Sequence, residues 1–213
     1  MLHKLFICPF FGPLPHWMPK YIDHLGHLKN HGYDFLITHD LEDFNERCEK
    51  KLGFKSTIVP GTGKLWDYRC ALGELYEEEI KGYDFWGHTD FDCVYGDVSK
   101  WVTDEFLGEL DIHSNHHSYI CGPWTLYRNT PHINSLFRKS PVWKERMLET
   151  KPSGWVEFEF SRTVESYPRY KYTYWQGIDP QDTSSITFDG TRLFDHGTEV
   201  MMVHFNRNKV WPL

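Results

Sequence analysis

Tyr83-Asp84-Phe85-Trp86-Gly87-His88-Thr89-Asp90-Phe91-Asp92 opens as a short apolar run and ends in two carboxylates one residue apart. The run has the length and bulk of a strand buried on both faces. In extended chain, residues i and i+2 project to the same side, so Asp90 and Asp92 would face one point just beyond the strand. Hard oxygen donors paired there suit Mg²⁺ or Mn²⁺ held against a diphosphate. An Asp-x-Asp spacing arises about once by chance in a chain of this length. The competing reading is a solvated turn whose carboxylates cap backbone amides. The surrounding pattern favours the first.

Upstream, Leu5 to Cys8 is another buried-strand run, ended by Pro9 and Gly12. Trp17, Tyr21, Leu25 and Leu28 recur at helical spacing, and Gly32 closes that helix. Tyr33 to Thr38 reads as a second strand, Leu41 to Leu52 as an amphipathic helix, Phe54 to Val59 as a third strand and Leu65 to Tyr76 as a helix. Strands alternating with helices predict parallel crossovers, hence an α/β sandwich with a mostly parallel sheet. In such sheets ligands sit beyond the carboxyl ends of the strands, here Pro9 to Gly12, His39 with Asp40, and His88 to Asp92. Farther on, Val98 to Leu110 reads as helical, Tyr119 to Arg128 as a strand broken at Gly122 and Pro123, and Pro168 to Trp175 and Val200 to Phe205 as strands. Thr130 before Pro131 starts a helix.

The 213 residues suffice for one domain with a substantial core. A net charge of −7 disfavours wrapping of nucleic acid. Cys8, Cys48, Cys70, Cys93 and Cys121 are odd in number and lack C-x-x-C spacing, so neither a disulfide framework nor a zinc knuckle is indicated and a reducing compartment fits. No stretch approaches the ~18 apolar residues of a membrane span, so the chain reads as cytoplasmic and not secreted. Aromatic residues reach 17%, with nine Trp, which points either to an aromatic-rich core or to rings lining a site for sugars or bases.

The core segment, together with Cys8-Pro9-Phe10-Phe11-Gly12, Lys64-Leu65-Trp66-Asp67-Tyr68 and Thr125-Leu126-Tyr127-Arg128-Asn129, resembles the GT-A nucleotide-sugar glycosyltransferases. The likeness is greatest to a group of small glycosyltransferase-like proteins with a Phe-Trp-Gly-x-x-Asp-x-Asp core, and it extends to the amino-terminal glycosyltransferase domain of a longer chlorella-virus protein. The resemblance implies a single-domain, Rossmann-like α/β/α sandwich over residues 1–213. Residues up to about 97 would bind the nucleotide and the rest the acceptor, with further domains of a longer polypeptide as expected neighbours. It further implies a UDP-sugar donor, a carbohydrate acceptor and a Mn²⁺ or Mg²⁺ ion, with transfer in viral glycoprotein glycan synthesis, in the host cytoplasm.

By that resemblance Asp90 faces the ribose or sugar and shares the ion with Asp92, and His204 supplies a third ligand. Lys209 reaches a phosphate, although Asn206, Arg207 and Asn208 depart from the family pattern between them. Pro9, Phe10, Phe11, Gly12, Thr38 and Asp40 lie at strand ends where uracil and ribose would be read. Lys64, Asp67 and Arg69 follow the flexible Gly61-Thr62-Gly63 and could close over the diphosphate, or could be a solvated helix start. If Trp155 to Phe160 is extended, Glu157 and Glu159 share a side and one could be a catalytic base; the bland alternative is the polar face of an edge strand. Gly122, Pro123 and Trp124 would form an acceptor platform, with Trp124 either stacked on a sugar or packed in the core. Two other classes compete: a metal-dependent hydrolase using the many His with Asp90 and Asp92, although the one local cluster, His113, His116 and His117 near Asp111, reads better as a polar loop, and a carbohydrate-binding module without catalysis.

Overall fold

The apolar runs bounded by Pro and Gly assemble into one sheet. The computed structural model describes residues 1–116, 118–167, 171–174 and 184–205. In chain order the strands are β1 (Lys4–Pro9), β2 (Tyr33–Thr38), β3 (Phe85–Thr89), β4 (Cys93–Tyr95), β5 (Ile112–Ser114), β6 (Trp124–Arg128) and β7 (Tyr172–Tyr174). The central sheet is six-stranded, ordered β2-β1-β3-β6-β5-β7. β1 pairs parallel with both β2 and β3, β6 runs antiparallel to β3 and β5, and β7 is parallel to β5. The sheet is therefore mixed, with β6 reversed among strands that otherwise share one direction.

Each strand alternates between two cores because side chains along a strand point to opposite faces. Leu5, Ile7, Trp86 and Tyr127 join α2 (Leu41–Leu52) on one face; Phe6, Cys8, Phe85 and Trp124 join α1 (Met18–Leu25) on the other. Gly32 closes its segment as the sequence suggests, whereas Asp40, expected at the nucleotide, is spent on a helix cap. The Asp40 carboxylate accepts from the backbone N–H groups of Glu42 and Asp43, and Gly32 and Gly53 end their segments at φ of 76° and 83°, where a β-carbon would be strained. All five cysteines are buried and free. No helix among the described residues is long and apolar enough to cross a membrane.

Beyond this sheet, β8 (Ile186–Phe188), β9 (Leu193–Asp195) and β10 (Thr198–Val200) form a small antiparallel sheet, and β11 (Met202–His204) returns to pair antiparallel with β4. His204 lies directly opposite Cys93 in that ladder.

Several sequence expectations change. The strand expected over Tyr119 to Arg128 starts only at Trp124, and Val98 to Leu110 holds two short helical pieces, Val98–Lys100 and Asp104–Gly108. Phe54 to Val59 is not a strand: its backbone groups are taken by side chains, Ser56 N–H by Asn45 Oδ1 at 3.1 Å and Thr57 N–H by the Tyr68 hydroxyl at 3.2 Å. The Leu65 to Tyr76 helix is mostly a 3-10 segment, Gly63–Ala71, leading into a single α-helical turn, Leu72–Leu75. Val156–Phe160 is a π-helical turn running into the helix Ser161–Glu165, not an extended edge. Val156 and Phe160 are buried, and the Phe160 N–H donates to the Trp155 carbonyl, so apolar contact sets the conformation over the alternating pattern.

His113, on β5, is 1% exposed, and neither ring nitrogen has a hydrogen-bond partner among the described residues. Burial pushes its pKa down from 6.5 to about 4. The ring is neutral when folded but binds a proton near pH 6.5 when unfolded, so its contribution to stability is intact above pH 6.5 and declines as the pH falls toward 4. The decline is about 1.4 kcal/mol per pH unit. Thermal melts between pH 7 and pH 4.5 are therefore expected to show a midpoint that falls with acidity, with a shallower fall in His113→Leu. An identical slope in the variant contradicts this assignment.

Candidate functional site

Asp90 and Asp92 follow the end of β3, and the cavity they border lies beyond the carboxyl ends of β1 and β3, as an open α/β sheet requires. Its volume is about 960 Å³, and its wall includes Pro9, Phe10, Arg69, His88, Asp90, Asp92, Gly122, Pro123, Glu157 and His204. Residues from both ends of the chain thus meet in one depression.

The pairing of β11 with β4 brings the His204 imidazole to the acidic pair. Its Nε2 lies 3.3 Å from Asp92 Oδ1 and 3.8 Å from Asp90 Oδ2. Ligands at about 2.1 Å in adjacent octahedral positions stand about 3 Å apart, so these separations fit donors that would share one cation. Cys93 also brings its sulfur within 4.8 Å of the Asp92 and His204 donor atoms. Burial, with the charges of Asp90 and Asp92, pushes the Cys93 thiol well above its ordinary range. Asp90, Asp92 and His204 give two carboxylates and an imidazole, a combination suited to Mn²⁺ or Mg²⁺, with the Cys93 sulfur standing beside them.

Arg69, projecting from the 3-10 segment, pairs with Asp90 Oδ1. This approach depends on Gly122: a β-carbon there would overlap the guanidinium and stand 3.1 Å from Asp90 Oδ2. The Gly122 carbonyl accepts from Nδ1 of His88 at 3.2 Å, and Tyr127 stands 3.4 Å from its Nε2. Burial, then the Arg69 charge, pushes His88 down to about 3, so its ring is neutral. Nothing in the sequence distinguished His88 from the other twelve histidines except its place on the central strand.

Glu157 reaches the cavity from the π-helical turn. Burial raises its pKa, Arg69 opposes that and Asp90 reinforces it. Glu159, two residues on, accepts from Arg146 at 2.9 Å. The turn thus separates two carboxylates that an extended chain would have placed side by side.

Other expectations are redistributed. Pro9 and Phe10 line the cavity, whereas Phe11 is buried against Phe44 at 5.2 Å between centroids and Gly12 stands outside the wall. Thr38 and Asp40 also stand outside it; the Thr38 carbonyl accepts from Phe10 N–H and Asp40 caps α2. Lys209 lies outside the described residues, as do His117 and Trp175. Trp124 is wholly buried, its ring 4.5 Å from that of Phe6, so it offers no face to a sugar. The cavity's rings come instead from Phe10, Trp17, Trp66, Phe91, His116 and Tyr119. His113 is enclosed on β5 while His116 borders the cavity, which divides the histidine cluster considered for a hydrolase.

Lys64 and Asp67 form a fully buried pair at 2.8 Å and cannot close over a diphosphate. Lys64 Nζ also donates to the Arg146 carbonyl at 2.6 Å, and the Asp67 carboxylate accepts from the N–H groups of Ser153 and Gly154 at 3.0 and 3.1 Å. The pair fastens the 3-10 segment that carries Arg69 to the loop that precedes Glu157. Lys64→Met leaves a buried carboxylate without its counter-charge and is expected to destabilise the fold by about 3–5 kcal/mol, read by urea titration. A loss under about 1 kcal/mol would instead mark an ordinary surface pair.

No curated protein matches this chain. A solved structure described as a glycosyltransferase involved in the glycosylation of the major capsid of PBCV-1 matches with a TM-score of 0.54. That match covers 95% of this chain and 93% of the other at 13% identity, a likeness of fold and broadly of the GT-A kind. Residues 38–185 match the profile of a family described only as one of unknown function, DUF6625, and with well over half its length inside that match the chain belongs to this family.

Proposed function

We propose that this protein transfers a sugar from a UDP-sugar to a hydroxyl group of a glycan acceptor, with a divalent cation held by Asp90, Asp92 and His204. The observation that carries this reading is the convergence of these three donors, from segments more than a hundred residues apart, beside a ring-lined cavity at the sheet's rim. The fold likeness to a capsid-modifying glycosyltransferase supports it.

When bound, Mn²⁺ or Mg²⁺ would neutralise the charge that develops on the departing diphosphate. Arg69 contributes a second fixed positive charge at the same place, held there by its contact with Asp90. Phe10 and Phe91, in edge-to-face contact at 5.4 Å, give the wall apolar surface suited to a base. His88 is locked neutral between Gly122 and Tyr127 and keeps the Gly122 backbone against the guanidinium.

Glu157 is the base in this scheme. The acceptor oxygen bonds to the anomeric carbon, its proton passes to the Glu157 carboxylate, and the electron pair of the anomeric carbon–oxygen bond leaves with UDP. Burial that raises a carboxylate's pKa also raises its strength as a base.

Calorimetric titration of UDP with and without Mn²⁺ tests the reading. Binding is expected only with the metal, and Asp92→Ala is expected to abolish it. Glu157→Gln is expected to bind UDP and Mn²⁺ normally while turnover of UDP-glucose, UDP-galactose or UDP-rhamnose falls by about 10²-fold or more. Metal-independent UDP binding, or wild-type binding in Asp92→Ala, contradicts the assignment; so does full turnover in Glu157→Gln. Gly122→Ala is expected to displace Arg69 and weaken UDP binding while the thermal midpoint changes little, and unchanged UDP affinity argues against a role for Arg69.

A further inference from the structure

A second cavity, of about 330 Å³, opens beside the first and shares with it Trp66, Arg69, Gly122 and Glu157. Its remaining wall is built largely from the loop Pro152, Ser153 and Gly154. Trp66 is 53% exposed, an unusual position for so large an apolar surface. It is held in place without being covered. A β-carbon on Gly63 would come within 2.6 Å of the indole, so the backbone at Gly63 lies directly against the ring, and the Arg69 guanidinium stands 6.0 Å from its centroid.

The charged groups around this space are few. Among the described residues the ionisable side chains in the wall are Arg69 and Glu157, of opposite sign. That balance suits a neutral, hydroxyl-rich ligand better than a phosphate or a charged peptide. A flat exposed ring beside a guanidinium and a carboxylate matches a sugar, whose C–H face stacks on the ring while its rim of hydroxyl groups takes hydrogen bonds.

We propose that this side cavity seats the sugar ring of the acceptor, stacked on Trp66, with Arg69 and Glu157 within reach of its hydroxyl rim and Glu157 facing the hydroxyl that reacts. The proposal rests on the reading that the larger cavity takes the UDP-sugar. It moves the acceptor platform from Trp124, which is enclosed, to Trp66, which stands where both cavities meet.

Saturation-transfer NMR on the whole chain tests it, with UDP and Mg²⁺ present and the methyl α- and β-glycosides of glucose, galactose, xylose and fucose as probes. A parallel UDP titration reads the larger cavity. Transfer to at least one glycoside is expected, with affinity about three- to tenfold weaker in Trp66→Ala. Trp66→Phe, which keeps a ring, should recover most of the loss. Trp66 is more than half exposed, so the variants should melt like the wild type. If UDP binds and no glycoside does, or if glycoside affinity in Trp66→Ala equals that of the wild type, the side-cavity proposal is overturned while the nucleotide reading stands. If glycosides bind through Trp66 but UDP does not, the nucleotide reading fails and a carbohydrate site remains.

Discussion

The antiparallel pairing of β11 with β4 is the constraint on which the site depends. It places His204 opposite Cys93 and so within 3.3 Å of the Asp92 carboxylate, across more than a hundred residues of intervening chain. Without that ladder the acidic pair would be two carboxylates at a solvent-facing strand end. The cost of bringing like charges together at the rim is offset on both sides. Arg69 meets one oxygen of Asp90, and the imidazole approaches the other oxygen and Asp92. An arrangement in which one cation would complete the neutralisation is a physical reason to read this rim as functional.

Rigidity comes from below. The buried Lys64–Asp67 pair looks like ligand chemistry in the sequence, yet its groups are consumed in joining the 3-10 segment to the end of the helix Trp143–Leu148 and the loop that follows it. Buried ion pairs add little net stability on average, but one that is broken is costly, which favours a single alignment of the two segments. Arg69 and Trp66 project from one of these segments, and the loop Ser153–Gly154 leads directly into Glu157 on the other. The pair that cannot bind a diphosphate therefore sets the positions of residues that border both cavities.

Gly122 has a comparable role at the opposite wall. Its missing side chain is the space that Arg69 occupies, and its carbonyl fixes the hydrogen of His88 on Nδ1. A single backbone position thus orients a cation and a neutral imidazole. The surplus of aromatic residues divides in two: Trp86, Trp124 and Trp155 fill the cores, while Trp17, Trp66, Phe10 and Phe91 line the cavity.

The residues alone determined β1, β2, β3 and α2, because each is a local pattern: an apolar run bounded by Pro or Gly, or an amphipathic period of 3.6. They also determined that Asp90 and Asp92 would stand together at a strand end, since one intervening residue suffices for that. Tertiary structure decided the rest. The reversed direction of β6 is a pairing choice with no local signature. The alternation in Trp155 to Phe160 gave way to a π-helical turn that buries Val156 and Phe160, in a segment that pairs with no strand among the described residues. Trp124 and Trp66 are the same residue type in similar apolar company, and only the packing of distant elements enclosed one and left the other open, since burial is a property of the assembled surface and not of the neighbours in sequence.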